Sequence, residues 1–367
     1  MIIGVPKEVK VHEYRVAMVP GGVQQLVAAG HEVRIQSGAG AGSSITDEQF
    51  VAAGAKIVPT ADELWKGSEM IVKVKEPVAE EHDRIQHGQT LFTYFHLAAV
   101  PELAPVLVEK KVAAIAYETV ELADGRLPML QPMSVVAGKM ATQVGATLLE
   151  RGRGGKGILL GGVPGVRRGR VLVLGGGTSG LAAAKIAVGF GASVTVMDIS
   201  LPRLEYLDDV FQSRVNLVFS NPISIAEEVR RADLVVGAVL VPGRRAPTLV
   251  TRELIGEMSP GSVVVDIAVD QGGCIETIKP TTHDEPTYVV DDVLHYGVTN
   301  MPGAVAHTST YALTNATLGY AMRIASQGPM EAAQADPALA KGFNTYNGKV
   351  THRAVAEDLG YAFEPLF

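Results

Sequence analysis

The chain has almost no cysteine. Its single thiol, Cys274, excludes an intrachain disulfide and a cysteine-ligated metal cluster, and it fits a reducing compartment. It has no block of basic residues, and its formal net charge is -7, which argues against nucleic acid as a partner. No apolar run reaches the roughly 18 residues a transmembrane helix needs. The opening MIIGVPKEVK lacks the long apolar core of a secretory signal. These absences set the expectation of a cytoplasmic protein with no membrane partner and no metal. Aromatic residues are also scarce, at 5%, so the core has to be built from aliphatic side chains.

What is present is glycine, 40 residues among 367, together with abundant aliphatic residues. That mixture suits an α/β protein with tight turns between strand and helix. The length exceeds what one ordinary hydrophobic core supports, so two domains are expected. In the first third, MIIGVP, HEVRIQ, KIV, MIVKV, TLFTYF and VAAIAYE read as strands. Helical patterns lie between them: GGVQQLVAAG, TDEQFVAAG with Thr46 as its cap, TADELWKG and VPELAPVLVEKK. A second series runs RVLVLGGG, SVTVMD, VNLVFS, ADLVVGAV, SVVVDIA and YVVDDV. Continuous apolar strands of this kind belong in parallel sheets buried on both faces. The fold class expected is therefore α/β, with two doubly wound parallel-sheet domains. Two longer helices, over 134–150 and 307–326, carry the chain between them, the first with Ser134 as its cap.

The strongest local signal is RVLVLGGGTSGLAAAKIAVGFGASVTVMD. A strand runs into Gly175, Gly177 and Gly180, spaced G-x-G-x-x-G. A helix follows, then a strand ending in Asp198. Gly175 permits the tight turn, Gly177 lets the backbone approach a pyrophosphate, and Gly180 lets helix and strand pack closely. The helix start offers free N–H groups to phosphate. Asp198 is placed to accept hydrogen bonds from ribose hydroxyls and favours NAD over NADP. Arg203 nearby weakens that preference, and reads equally as a solvated helix residue.

Several charged residues are candidates for chemistry. Arg15, in HEYRVAMVP, suits a carboxylate because its planar fork binds one bidentately. Lys73 and Lys75 lie two apart at the end of a strand, on one face, either in a crevice or as exposed edge lysines. His96 follows TLFTYF, and an imidazole titrates in the physiological range. A lone histidine in an apolar run is otherwise a core residue. In VVVDIAVDQGG, Asp266 lies within the strand pattern. Asp270 lies beyond it, where sheet edges bind ligands.

The stretches EYRVAMVPGGV, VKVKEP, LFTYFHLA, PMSVVAGKMA, GGVPGV, VLGGGTSG, VDIAVDQGG and GVTNMPGAV together resemble the alanine dehydrogenase family, from the first residues to about Leu318. The resemblance implies a discontinuous substrate domain, 1–134 and 304–367, with a Rossmann NAD-binding domain, 135–303, inserted. It implies reversible oxidative deamination of L-alanine to pyruvate and ammonia, and a homohexamer. Arg15 and Lys75 match substrate-binding positions, and His96 and Asp270 match catalytic ones. Ser134, Asp198, Arg203, Ser220 and the glycine loop, with Thr178 and Ser179, fall where the family touches NAD. Asn300 and Met301 fall where it lines the nicotinamide pocket, Asn300 on the substrate side. His12, Val19 and Arg203 depart from the usual asparagine, hydroxyl residue and lysine. Three other readings compete with this one: the soluble NAD-binding component of a proton-translocating transhydrogenase, a dehydrogenase of the saccharopine type and a non-catalytic nucleotide sensor. A cleft between the domains is expected to close over the substrate.

Overall fold

The computed structural model describes residues 1–239 and 246–367. Two compact units emerge, one formed by 1–133 and 303–367 and the other by 134–302. The first unit begins with β1 (Ile2–Val5), β2 (Glu32–Gln36), β3 (Lys56–Val58), β4 (Met70–Val72), β5 (Thr90–Thr93) and β6 (Ala113–Ala116). The second contains β7 (Arg170–Leu174), β8 (Ser193–Asp198), β9 (Asn216–Phe219), β10 (Leu234–Gly237), β11 (Val263–Asp266), β12 (Thr287–Val290) and β13 (Val293–Tyr296). The chain then returns to the first unit and adds β14 (Phe343–Tyr346) and β15 (Lys349–Val350).

The first sheet is ordered β15-β14-β6-β5-β4-β1-β2-β3, and the second β12-β13-β11-β10-β7-β8-β9. Strands β1 to β6 pair in parallel, as do β7 to β11 with β13. The parallel parts share one topology. In chain order within each unit it is 3-2-1-4-5-6, the doubly wound pattern. Its winding reverses between β1 and β4 in one unit and between β7 and β10 in the other. Central strands such as AAIA, LVVG and VVVD are buried at every position, as strands covered on both faces must be.

Both sheets are mixed rather than purely parallel. YVVDDV is not one strand. Asp291 and Asp292 adopt left-handed backbone, φ 49° and 61°, and reverse the chain into an antiparallel β12–β13 hairpin. Aspartate tolerates that region better than most residues, so the pair acts as a turn inside an apolar stretch. In the C-terminal tail, β14 pairs antiparallel with β6 and with β15, and so lengthens the first sheet.

Local signals act as their chemistry dictates. The Thr46 hydroxyl accepts from Gln49 N–H, and the Gln49 side chain accepts from Thr46 N–H, a reciprocal cap. The long helix near 134 instead starts at Gln131, so Ser134 lies in its first turns and is not its cap. Helix Ala306–Gln327 runs 22 residues, and its Thr310 hydroxyl accepts from Val16 N–H at 3.1 Å. The core is largely aliphatic, with Trp65 and Phe95 fully buried in one cluster of the first unit. No helix among the described residues is long and apolar enough to cross a membrane.

Candidate active site

In the first unit, the segments leaving β1, β4 and β5 carry a set of charged side chains. Arg15 is 2% exposed and grips Glu13 with both arms of its fork, Nε to Oε1 at 2.6 Å and Nη2 to Oε2 at 2.5 Å. Its Nη1 points to Met133 Sδ at 3.1 Å. Burial disfavours the Glu13 carboxylate, but Arg15 outweighs burial and holds Glu13 below its ordinary value.

The two lysines after β4 do different jobs. Lys73 is buried, 2.8 Å from Glu81 and 3.3 Å from Glu8, and is no exposed edge lysine. Glu8 also accepts Val74 N–H at 2.7 Å, and burial raises its pKa despite Lys73. Lys73 therefore belongs to the internal framework. Lys75 keeps partial exposure. Burial first, and then the charge of Arg15, pushes its ammonium below the ordinary lysine value. Glu76 and Glu13 act the other way on it, so Lys75 stands among charges of both signs.

Glu76 follows directly. It is 3% exposed, ion-paired to Lys10 through Oε1, and its Oε2 lies 3.5 Å from His96 Nδ1. Burial would raise the Glu76 carboxyl, but His96 and Lys10 overcome it and bring it down to about 2. His96 lies three residues past β5, with φ 49°. That strained turn is held by Glu118, which accepts His96 N–H at 2.7 Å and Phe95 N–H at 3.0 Å. The imidazole stacks on Tyr94 at 5.6 Å and 26°, and its side chain is 40% exposed. It is thus a ring gripped on one side and open on another, not a core histidine. Sequence reasoning missed Glu8, Glu13, Glu76 and Glu118, although HEYR and KEP place two of them beside residues it did choose.

In the second unit the three glycines separate by geometry. Gly175 has φ +93°, and a Cβ there would meet Ala238 O at 2.8 Å. At Gly180 a Cβ would sit 1.8 Å from Gly175 O, so helix Thr178–Gly189 packs on the loop only because that side chain is absent. At Gly177 a Cβ meets no described atom within 4 Å, and no side chain caps the helix it starts. The space and the N–H groups suit a pyrophosphate. Thr178 is exposed, and Ser179 is half-buried inside the first turn.

Asp198 ends β8 and accepts Gly176 N–H at 2.8 Å and Ser200 N–H at 2.9 Å. Arg203 donates Nε to Gly176 O at 2.5 Å and Nη2 to Gly177 O at 3.3 Å, so it braces the loop and is not a solvated helix residue. Ser220 N–H donates to the main-chain carbonyl of Asp198 at 3.0 Å, which sets Ser220 just past β9 beside the end of β8. An acid, a bound glycine loop and an open Gly177 fit the adenosine and phosphates of NAD.

After β11 the two aspartates divide their roles. Asp266 is fully buried and accepts N–H from Ala268 at 2.9 Å, Cys274 at 2.7 Å and Ile275 at 3.2 Å. It ties the loop. Asp270 is exposed in the single helical turn Val269–Gln271 that the loop presents. Cys274 belongs to the same loop. Its thiol is buried in the unit's core, and burial pushes it well above the ordinary cysteine value, which makes it inert. Asn300 adopts φ 60°, its carbonyl lies 3.2 Å from His283 Nε2, and Met301 beside it is 3% exposed.

No group of three His, Cys, Asp or Glu among the described residues is arranged to hold a metal. Residues 4–137 match the model of the alanine dehydrogenase/PNT N-terminal domain, and 141–353 that of its C-terminal domain. Alanine dehydrogenase from Methanococcus maripaludis is 57% identical over 98% of each chain. A solved L-alanine dehydrogenase is 53% identical, with a TM-score of 0.96 over 98% of this chain and 99% of its own. A transhydrogenase from Sinorhizobium meliloti is 26% identical, with a TM-score of 0.82 over 96% of this chain and 100% of its own. With full-length likeness of that depth and both domain models matched, the chain belongs to the alanine dehydrogenase/PNT family.

Proposed function

We propose that this chain catalyses the reversible oxidative deamination of L-alanine, in which L-alanine, NAD and water give pyruvate, ammonium, NADH and a proton. The class, an NAD-dependent amino-acid dehydrogenase, goes with the family. The substrate assignment is supported by the placement of Arg15, Lys75 and His96 on the segments that leave the parallel strands β1, β4 and β5 of one sheet.

Bound NAD supplies the hydride acceptor; the glycine loop, Ser134, Asp198, Arg203, Ser220 and Met301 hold it. Arg15 binds the substrate carboxylate and Lys75 the oxygen that becomes the carbonyl, with Asn300 beside the substrate. Loss of hydride from Cα leaves an imine. Asp270 takes a proton from the water that attacks that imine. His96 moves a proton to or from the new oxygen, and Glu76 and Glu118 orient the ring. Fixed cations stabilise charge as it develops without reorganising. The substrate domain in this reading is 1–134 with 304–367, and the NAD domain is 135–303. The working protein is a cytoplasmic homohexamer acting on small molecules, without nucleic acid or membrane.

The test is direct. Purified protein with NAD and L-alanine should raise the NADH absorbance, and pyruvate with ammonium should reverse it. His96→Ala and Asp270→Asn should each remove most of that turnover while NADH still binds. Wild-type rates in either variant would refute its assigned role. NADH binding without any turnover in the unaltered protein would favour a binding module of the transhydrogenase kind. Light scattering checks the hexamer.

A further inference from the structure

Lys10 is a cation of the first unit with no role in the proposed reaction. It lies in the loop that leaves β1, the loop that also carries Glu13 and Arg15. Its main-chain carbonyl accepts Glu13 N–H at 3.0 Å, and Glu13 in turn grips Arg15. Its ammonium crosses to the segment leaving β4 and pairs there with Glu76 Oε1. The lysine side chain is 44% exposed and the glutamate 3%, so water screens one partner and hardly reaches the other.

The two oxygens of Glu76 are used differently. Oε1 has Lys10. Oε2 is buried and accepts no hydrogen bond among the described residues. The group that faces it is His96 Nδ1, at 3.5 Å. A buried carboxylate oxygen without a partner is costly. A proton on His96 turns that neighbour into a cation and lowers the cost, so Glu76 favours the imidazolium. Lys10 acts against this. It engages the other end of the carboxylate and brings a positive charge of its own toward the ring.

The other charged and titratable groups of this unit near the ring have separate partners. Lys75 also draws on the Glu76 carboxylate. Glu118 accepts the N–H groups of Phe95 and His96. On its far side Glu118 acts on His352, whose imidazole burial pushes below the ordinary value. Tyr94 stacks on His96 and donates its hydroxyl to the Met129 carbonyl at 2.7 Å, and burial keeps that hydroxyl protonated. Of these groups, Glu76 is the carboxylate that faces a ring nitrogen of His96, and Lys10 is the cation paired to it.

We propose that Lys10 and Glu76 are positioning residues that act on His96 in opposite directions: Glu76 strengthens the ring's hold on its proton, and Lys10 limits that hold. The consequence for catalysis rests on the reading of His96 as the proton carrier. One loop then has two tasks, since the segment that carries Arg15 also trims the basicity of His96.

Diethylpyrocarbonate tests this without turnover, because it acylates the neutral imidazole and not the imidazolium. The rate of labelling at His96 in the full chain, followed by peptide mass spectrometry from about pH 5 to 9, gives the midpoint at which the ring loses its proton. Glu76→Gln should move that midpoint down by about one pH unit. Lys10→Met should move it up by roughly half a unit, less because Lys10 is half in water. Thermal unfolding and NADH titration verify that both variants fold. An unmoved midpoint in either folded variant overturns the part assigned to that residue, and a shift in the same direction in both overturns the opposition between them. The pH profile of kcat/KM for L-alanine should move with the labelling midpoints. Midpoints that shift under an unmoved profile would leave the effect on His96 standing and refute His96 as the proton carrier.

Discussion

The two units wind their parallel strands in one order and furnish the reversal point in opposite ways. Between β1 and β4 the segments bring charged side chains: Arg15 on Glu13, Lys73 between Glu8 and Glu81, and Lys75 beside Glu76. Between β7 and β10 the chain brings backbone instead, a glycine loop whose N–H and carbonyl groups are tied by Asp198 and Arg203. Topology supplies a crevice in both cases. The difference lies in what lines the crevice: charged side chains in the first unit and bare backbone in the second.

The contrast is most sharply broken at two buried points. Gly180→Val should abolish NADH binding and cost several kcal/mol of stability, because its first carbon already lands on the Gly175 carbonyl. Dinucleotide titration and thermal unfolding would both report it. Lys73→Met should cost about 3–5 kcal/mol by leaving Glu8 and Glu81 buried without their cation. Lys75→Met should leave denaturant stability nearly unchanged and remove pyruvate affinity. Equal destabilisation by the two substitutions would erase the division between framework lysine and site lysine.

A smaller effect is visible in pH. Glu76 is held at about 2 against an ordinary 4.5, so it is depressed in the folded state. It therefore contributes stability above pH 4.5 that is lost as pH falls toward 2, on the order of 3 kcal/mol. In Glu76→Gln that part of the acid unfolding curve should flatten, and the reaction's pH profile should move with the altered His96 environment. The mildest change is Gly177→Ala, which has room: thermal stability should hold while NADH binding weakens about tenfold. Unchanged NADH affinity there would separate the open space from phosphate binding.

Much of this was legible because the signals are local. Alternating apolar strands, the Thr46 cap and the spacing of Gly175, Gly177 and Gly180 each act over a few residues. Partnerships across the chain left no such trace. Glu8 and Lys73 are far apart in sequence, and nothing near either one says which lysine of VKVKEP goes inward. YVVDDV misled because its apolar residues satisfy a strand pattern on both sides of a two-aspartate turn. Strands β14 and β15 were hidden in a polar tail, where their sheet partner β6 lies more than two hundred residues away.

The loop closed by Asp266 has a thermodynamic consequence. Fixing the backbone of one residue costs about 1–2 kcal/mol of conformational entropy. The N–H groups of Ala268, Cys274 and Ile275 close the loop between them on one buried carboxylate. Asp270 rides on that closed ring, so a group that contacts it meets a turn already ordered, and none of the free energy of contact is spent on ordering the loop.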